Sequence, residues 1–98
     1  MRKMLVMTRE EAEILALKAL EFLSHDVDRL SRFLAVSGLK PAALPSQVGD
    51  PYFLGGVLDY LLEDQSMIFL FTESQGLAPD APEAARRMLP GGVDDHQT

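Results

Sequence analysis

The stretch DPYFLGGVLDYLLED at residues 50–64 constrains the fold of this chain more than any other. Asp50 is a favoured N-cap residue, and Pro51 suits the first helical position because no backbone N–H is needed there. The apolar side chains that follow recur at helical spacing, namely Phe53, Leu54, Val57, Leu58, Leu61 and Leu62. Since few polar residues remain, we expect neighbouring helices to cover nearly every side of this segment, which predicts a buried central helix.

A first helix is predicted from Thr8 to Leu23. Thr8 and Glu11 have the spacing of a capping box, in which each side chain accepts a hydrogen bond from the backbone of the other residue. One face of the helix is apolar and consists of Ala12, Leu15, Ala16, Ala19, Phe22 and Leu23. Three further apolar residues spread beyond that face, namely Ile14, Leu17 and Leu20. These three either widen the core-facing stripe, which is the commoner role of such residues, or form a second apolar surface for a partner or another copy of the chain.

A second helix is predicted to begin at Ser24 or Asp26 and to end at Gly38. Both Ser and Asp are good N-cap residues, and Gly is favoured where a helix ends in the left-handed conformation. The inward side chains of this helix are Leu30, Phe33 and Leu34. Pro41 can open a helix, but Pro45 would collide with the carbonyl four residues earlier, so two short turns are expected after Gly38.

The C-terminal part of the chain predicts two more helices. Asp64 can cap a helix that ends near Gly76, with an apolar face formed by Met67, Ile68, Leu70 and Phe71. Asp80 and Glu83 again have capping spacing, which predicts a short last helix to Leu89. The fold class is therefore all-α, a compact orthogonal bundle of about five helices around the buried central helix. We expect residues 1–89 to form a single helical domain and residues 90–98 a disordered tail.

Two adjacent glycines, Gly55 and Gly56, lie inside the central helix. Each is unfavourable there by about 1 kcal/mol relative to Ala. We expect a helix packed too close for side chains to offset this. A phosphate cradle is rejected, because no Lys, Ser or Thr follows the pair and the surrounding pattern is helical.

Composition and charge exclude or disfavour several classes of protein. Without Cys, the fold cannot depend on disulfides or thiolate-bound zinc, and no thiol nucleophile exists. The net charge of -6 repels phosphate backbones at long range and disfavours nucleic acid as a partner. No apolar run reaches the length of a signal-peptide core or a membrane span, so no membrane association is expected and the cytoplasm is the expected compartment.

Candidate catalytic and metal-binding residues are few. His25 and His96 are the only side chains with an ordinary pKa near neutrality, but His25 lies in an interhelical corner and His96 in the predicted tail. Asp94, Asp95 and His96 lack the rigid scaffold of a metal site. We therefore predict no catalytic residue, no metal site and no cofactor.

Two segments carry a resemblance to a known family. DRLSRFLAVSGLKP at residues 28–41 and PYFLGGVLDYLLED at residues 51–64 are similar to the pattern of a family of small bacterial proteins known only as a domain of unknown function. The resemblance implies a compact all-helical protein. It brings no activity, cofactor, partner or site residue with it.

Three functional hypotheses follow. The first, which we prefer, is a protein–protein interaction module that contacts itself or another protein through Ile14, Leu17 and Leu20. The second is helix-turn-helix DNA binding, although the recognition segment PAALPSQV has no Arg, Lys or Asn to read bases. The third is binding of a small apolar ligand in an aromatic cleft lined by Phe53, Tyr60, Phe69 and Phe71.

Overall fold

Six α-helices and one 3-10 turn account for most of residues 7–91, which are the residues that the computed structural model describes. The helices are α1 (Arg9–Ser24), α2 (Val27–Ser37), α3 (Leu44–Gln47), α4 (Pro51–Leu62), α5 (Gln65–Gln75) and α6 (Ala81–Arg87), with the 3-10 turn at Pro41–Ala43. Because α3 is a single turn, five longer helices build the fold, and residues 7–91 contain no strand. The prediction of an all-α fold is confirmed. Most of the predicted tail lies outside the described residues.

The predicted helix boundaries depend on caps that the structure contains. The Thr8 hydroxyl accepts from the Glu11 N–H at 3.0 Å, and the Glu11 carboxylate accepts from the Thr8 N–H at 2.9 Å. Aspartates cap the starts of three further helices, namely Asp26 for α2, Asp50 for α4 and Asp64 for α5. Each such cap stabilises its helix by about 1 kcal/mol. Gly38 and Gly76 end α2 and α5 with φ of 76° and 66°, in the left-handed region that favours glycine.

The last helix begins directly after Asp80, as predicted, but it lacks the predicted side-chain cap and ends early. Asp80 makes no side-chain cap, because its backbone has φ -94° and ψ 5° and not the extended conformation of an N-cap residue. The helix ends at Arg87, two residues before the predicted Leu89, and the backbone then turns. None of the helices within residues 7–91 is long and apolar enough to cross a lipid bilayer.

The core is built around α4, which packs against α1, α2, α5 and α6. Val57, Leu58 and Leu61 are fully buried, which confirms α4 as the central helix. They belong to one hydrophobic core with buried side chains of the other helices, among them Ala16, Ala19 and Leu23 of α1, Phe33 of α2, Phe71 of α5 and Ala85 of α6. The exposed residues of α4 are Tyr52, Gly56 and Asp59, so one narrow side of the central helix faces water.

An adjacent side of α4, at Gly55, is closed by the segment that follows α6. The Arg86 guanidinium donates from Nη1 to the carbonyl oxygens of Leu89 at 3.0 Å and Pro90 at 3.3 Å, and from Nε to Asp59 Oδ1 at 2.6 Å. A Cβ atom on Gly55 would lie 2.9 Å from the Pro90 oxygen and 3.1 Å from Arg86 Nη1. A close approach therefore occurs at Gly55, but the neighbours are the Pro90 carbonyl and the Arg86 side chain and not the backbone of a packed helix, as had been expected.

Candidate functional site

An open apolar groove lies between α2 and α4, on the exposed side of α4. Its volume is about 240 Å³. The residues that line it, which define the α2–α4 groove, are Phe33, Val36, Ser37, Phe53, Gly56, Asp59, Tyr60 and Glu63. It was not predicted as such from the sequence, although two of its aromatic residues were.

Three aromatic rings hold the floor of the groove in place. The buried Phe33 ring packs edge-to-face against Phe53, with 5.9 Å between centroids, and against Tyr60, with 5.4 Å between centroids. Edge-to-face pairs contribute roughly 0.5–1.5 kcal/mol beyond the burial of their area. Because Phe33 lies in α2 and the other two rings in α4, these contacts also fix the distance between the helices. The groove therefore has a fixed shape.

Gly56 forms part of the groove wall without a packing reason inside the fold. A Cβ atom there would meet no atom of residues 7–91 within 4 Å, apart from its own helix. The predicted close approach of another helix is thus wrong for Gly56, since the helices that cover α4 lie on its other sides. Its cost of about 1 kcal/mol relative to Ala is not offset by a neighbour within the described chain.

The two rims of the groove differ in chemistry. On α2, the Val36 side chain is 74% exposed although it borders the cavity. On α4, Asp59 and Glu63 are exposed carboxylates at i and i+4, and Asp59 is the one that accepts from Arg86. The groove thus combines an apolar floor, a protruding aliphatic side chain and an acidic rim.

The predicted aromatic cleft divides between separate places. Phe53 and Tyr60 lie together in the α2–α4 groove. Phe71 is fully buried on another side of the core, with its ring 5.5 Å from that of Phe22, so it lines no cleft. Phe69 is exposed on α5 and lines a different depression, with Thr72 and Leu77 among its neighbours. Phe33 and Val36, and not Phe69 and Phe71, line the groove together with Phe53 and Tyr60.

The predicted surface on α1 is reduced to two residues. Ile14 and Leu17 are exposed, but Leu20 is only 9% exposed and belongs to the core. The reason is geometric, since Leu20 follows the buried Ala16 by one helical turn, and α2, α4 and α6 all pack on α1. The burial of Leu20 agrees with the wider core-facing stripe, whereas the exposure of Ile14 and Leu17 leaves these two for the predicted surface. On α5, Leu70 differs from its prediction in the opposite direction, because it was expected to face the core and is exposed.

His25 belongs to no metal-binding group among residues 7–91, and His96 lies outside these residues. His25 is exposed at the C-cap of α1, where its backbone N–H contacts the carbonyls of the last turn. Residues 7–91 contain no group of three or more His, Asp or Glu side chains placed to hold a metal ion. Asp94, Asp95 and His96 lie outside the described residues.

The segment considered as a DNA-recognition helix is short. Within residues 41–48, Pro41–Ala43 form the 3-10 turn, Leu44–Gln47 form the single turn of α3, and Val48 is its C-cap. The segment therefore contains no longer helix. A recognition helix presents several side chains along the major groove. The segment offers Ser46 and Gln47 as its polar side chains, so its geometry gives the DNA-binding hypothesis no added support.

Comparison with known proteins bears on family and not on activity. No curated protein and no solved structure matches the chain. A family model described as "Protein of unknown function (DUF3572)" matches residues 9–92, which includes every helix described above. The chain therefore belongs to the DUF3572 family of proteins of unknown function.

Proposed function

We propose that this protein is a small bacterial interaction module that acts by binding and not by catalysis, and that it docks an α-helix of a protein partner in the α2–α4 groove. The observation that carries the proposal is Gly56. It is the groove residue whose presence no contact within residues 7–91 explains, and it lies where a docked backbone would need space.

A helix fits the groove better than other occupants. The lining residues of α4 extend from Phe53 to Glu63, a rise of about 15 Å, which matches roughly three turns of a second helix. Helix-in-groove binding uses apolar anchors spaced by one or two turns, and Phe53 and Tyr60 on the floor lie about two turns apart on α4. A missing side chain at Gly56 lets the docked helix approach α4 closely, because interaxial distance depends on the side chains at the contact.

A small apolar ligand is the alternative occupant. Ligand pockets commonly have volumes of roughly 300–1,000 Å³ and bury most of the ligand. The α2–α4 groove holds about 240 Å³ and is open to solvent. Its size suits two or three anchoring side chains of a helix more than a whole cofactor.

Site-specific photo-crosslinking in the native cells tests the proposal. A photoreactive amino acid replaces Val36 in one strain and Val27 in a control strain, because both valines lie on α2 and are 74% and 78% exposed. Val36 lines the groove, whereas Val27 does not. We expect a discrete protein adduct from position 36, none from position 27, and loss of the adduct when Gly56→Leu fills the groove.

Three results would contradict helix docking. They are equal adducts from both positions, no adduct from position 36, or an adduct that Gly56→Leu leaves unchanged. Stabilisation of the chain by a fatty acid in a thermal-shift assay, lost in Gly56→Leu, would instead favour the ligand hypothesis.

The proposal also includes the cytoplasm as the compartment of the protein. Cell fractionation with an antibody against the chain tests this part of the proposal.

A further inference from the structure

We infer that the helix docked in the α2–α4 groove is α2 of a second copy of this chain, so that two copies pair about a two-fold axis. This inference rests on the proposed function, since it names the occupant of the same groove. Two features of the groove support it, one of shape and one of charge.

The shape of the groove is self-complementary. Val36 protrudes from its α2 rim, and Gly56 leaves an open space in its α4 wall. A two-fold axis makes each contact occur twice, because what one copy inserts it also receives. The Val36 side chain of each copy then lies over Gly56 of the other. Val36 loses its exposure to water, and Gly56 gains the close neighbour that the single chain does not provide.

The charges on the two rims select which helices face each other. Arg32 is exposed on α2, one turn before Val36 and on the same face, whereas Asp59 and Glu63 are exposed on the α4 rim. Placing α2 of one copy over α4 of the other brings Arg32 towards the acidic pair, twice in the dimer. Placing α4 over α4 would bring the two acidic pairs together, which opposes association.

The exposed pair Ile14 and Leu17 on α1 lacks this combination. Both side chains are apolar and partly exposed, and neither lines the α2–α4 groove. Phe69 is exposed beside a depression whose charged lining residue is the Glu73 carboxylate, and no Lys or Arg lies among the lining residues to pair with it. The α2–α4 groove is the surface where protrusion, space and opposite charges meet.

Sedimentation equilibrium of the full 98-residue chain over a concentration series tests the inference. We expect a monomer–dimer equilibrium. Gly56→Leu and Val36→Glu should each weaken dimerisation by about tenfold or more, as expected for central interface residues, while Val27→Glu changes the dissociation constant by less than about twofold. Circular dichroism of each variant checks that the helices are retained, which the open space around Gly56 and Val36 leads us to expect.

Charge reversal separates this dimer from other self-association. Arg32→Glu and Glu63→Arg should each weaken the dimer about tenfold, and the double variant should recover most of the loss, because it restores opposite charges across the interface. Failure of the double variant to recover would overturn the proposed pairing of α2 with α4.

A monomer at every concentration up to about 1 mM would overturn the second copy as occupant. In that case the crosslinking experiment distinguishes the two proposals. An adduct from position 36 to a different protein would keep helix docking and exclude the dimer, whereas a monomer without any adduct would exclude both.

Discussion

The two adjacent glycines of α4 face opposite surroundings. Gly55 lies against the Pro90 carbonyl and the Arg86 guanidinium, closer than a Cβ atom allows. Gly56, one residue later and rotated by about 100° around the helix, faces open space in the α2–α4 groove. Both lower the intrinsic helix stability by the same amount. The fold compensates for Gly55 and not for Gly56.

Glycine therefore has two different physical roles at neighbouring positions of one helix. On the closed side, the absence of a side chain lets the segment after α6 pack on α4, where Arg86 holds it by hydrogen bonds to two carbonyls. On the open side, the absence of a side chain benefits only something that enters the groove. Because no contact within the described chain offsets the destabilising effect of Gly56 on α4, we infer that Gly56 serves binding to another molecule.

The largest expected contrast between the two sides is in side-chain truncation. Leu58→Ala removes a fully buried side chain from the covered part of α4, so the free energy of unfolding should fall by roughly 2–5 kcal/mol. Val36→Ala, at the rim of the groove, should change it by less than about 0.5 kcal/mol. Urea denaturation at a low protein concentration, where the monomer dominates, measures both. Similar losses in the two variants would mean that the groove is part of the core.

The next contrast compares two adjacent arginines of α6. Arg86 has a side chain only 12% exposed and donates to two backbone carbonyls and to Asp59, whereas Arg87 is about two-thirds exposed and lies 3.7 Å from Glu83. Arg86→Ala should lower the free energy of unfolding by roughly 1.5–3 kcal/mol, because hydrogen bonds from a charged group are lost. Arg87→Ala should lower it by less than about 0.5 kcal/mol.

Thermal denaturation followed by circular dichroism measures this second pair. For a chain of this size, a loss of 1 kcal/mol corresponds to a shift in Tm of roughly 4–8 °C. Equal shifts for Arg86→Ala and Arg87→Ala would show that the segment after α6 does not depend on Arg86 for its position on α4.

The sequence predicts the helices well because their signals are local. The capping box at Thr8 and Glu11, the aspartate caps and the left-handed Gly38 each involve residues at most four apart. The exception, Asp80, has the right spacing but not the extended backbone that a capping side chain requires. Local patterns therefore fix where helices begin and end in most of this chain.

The groove could not be predicted in the same way, because it depends on contacts between distant residues. Helical spacing shows that Phe33, Phe53 and Tyr60 are apolar positions, but not that their rings meet and leave a cavity above them. It likewise cannot tell how many neighbours a helix has, which is why Leu20 proved buried and Phe69 exposed. A usable signal did exist at Val36, an apolar residue off the inward face of α2, and at Gly56.

The smallest expected effect tests the difference between the two sides of α4 most directly. Gly55→Ala and Gly56→Ala are compared by urea denaturation at a concentration where the chain is monomeric. Gly56→Ala should raise the free energy of unfolding by roughly 0.5–1 kcal/mol, because it gains helix propensity without a clash. Gly55→Ala should lower it by about 1 kcal/mol, because the methyl group displaces Pro90 and Arg86 by more than the propensity gain offsets. Changes of the same sign in both variants would contradict the division of α4 into a closed and an open side.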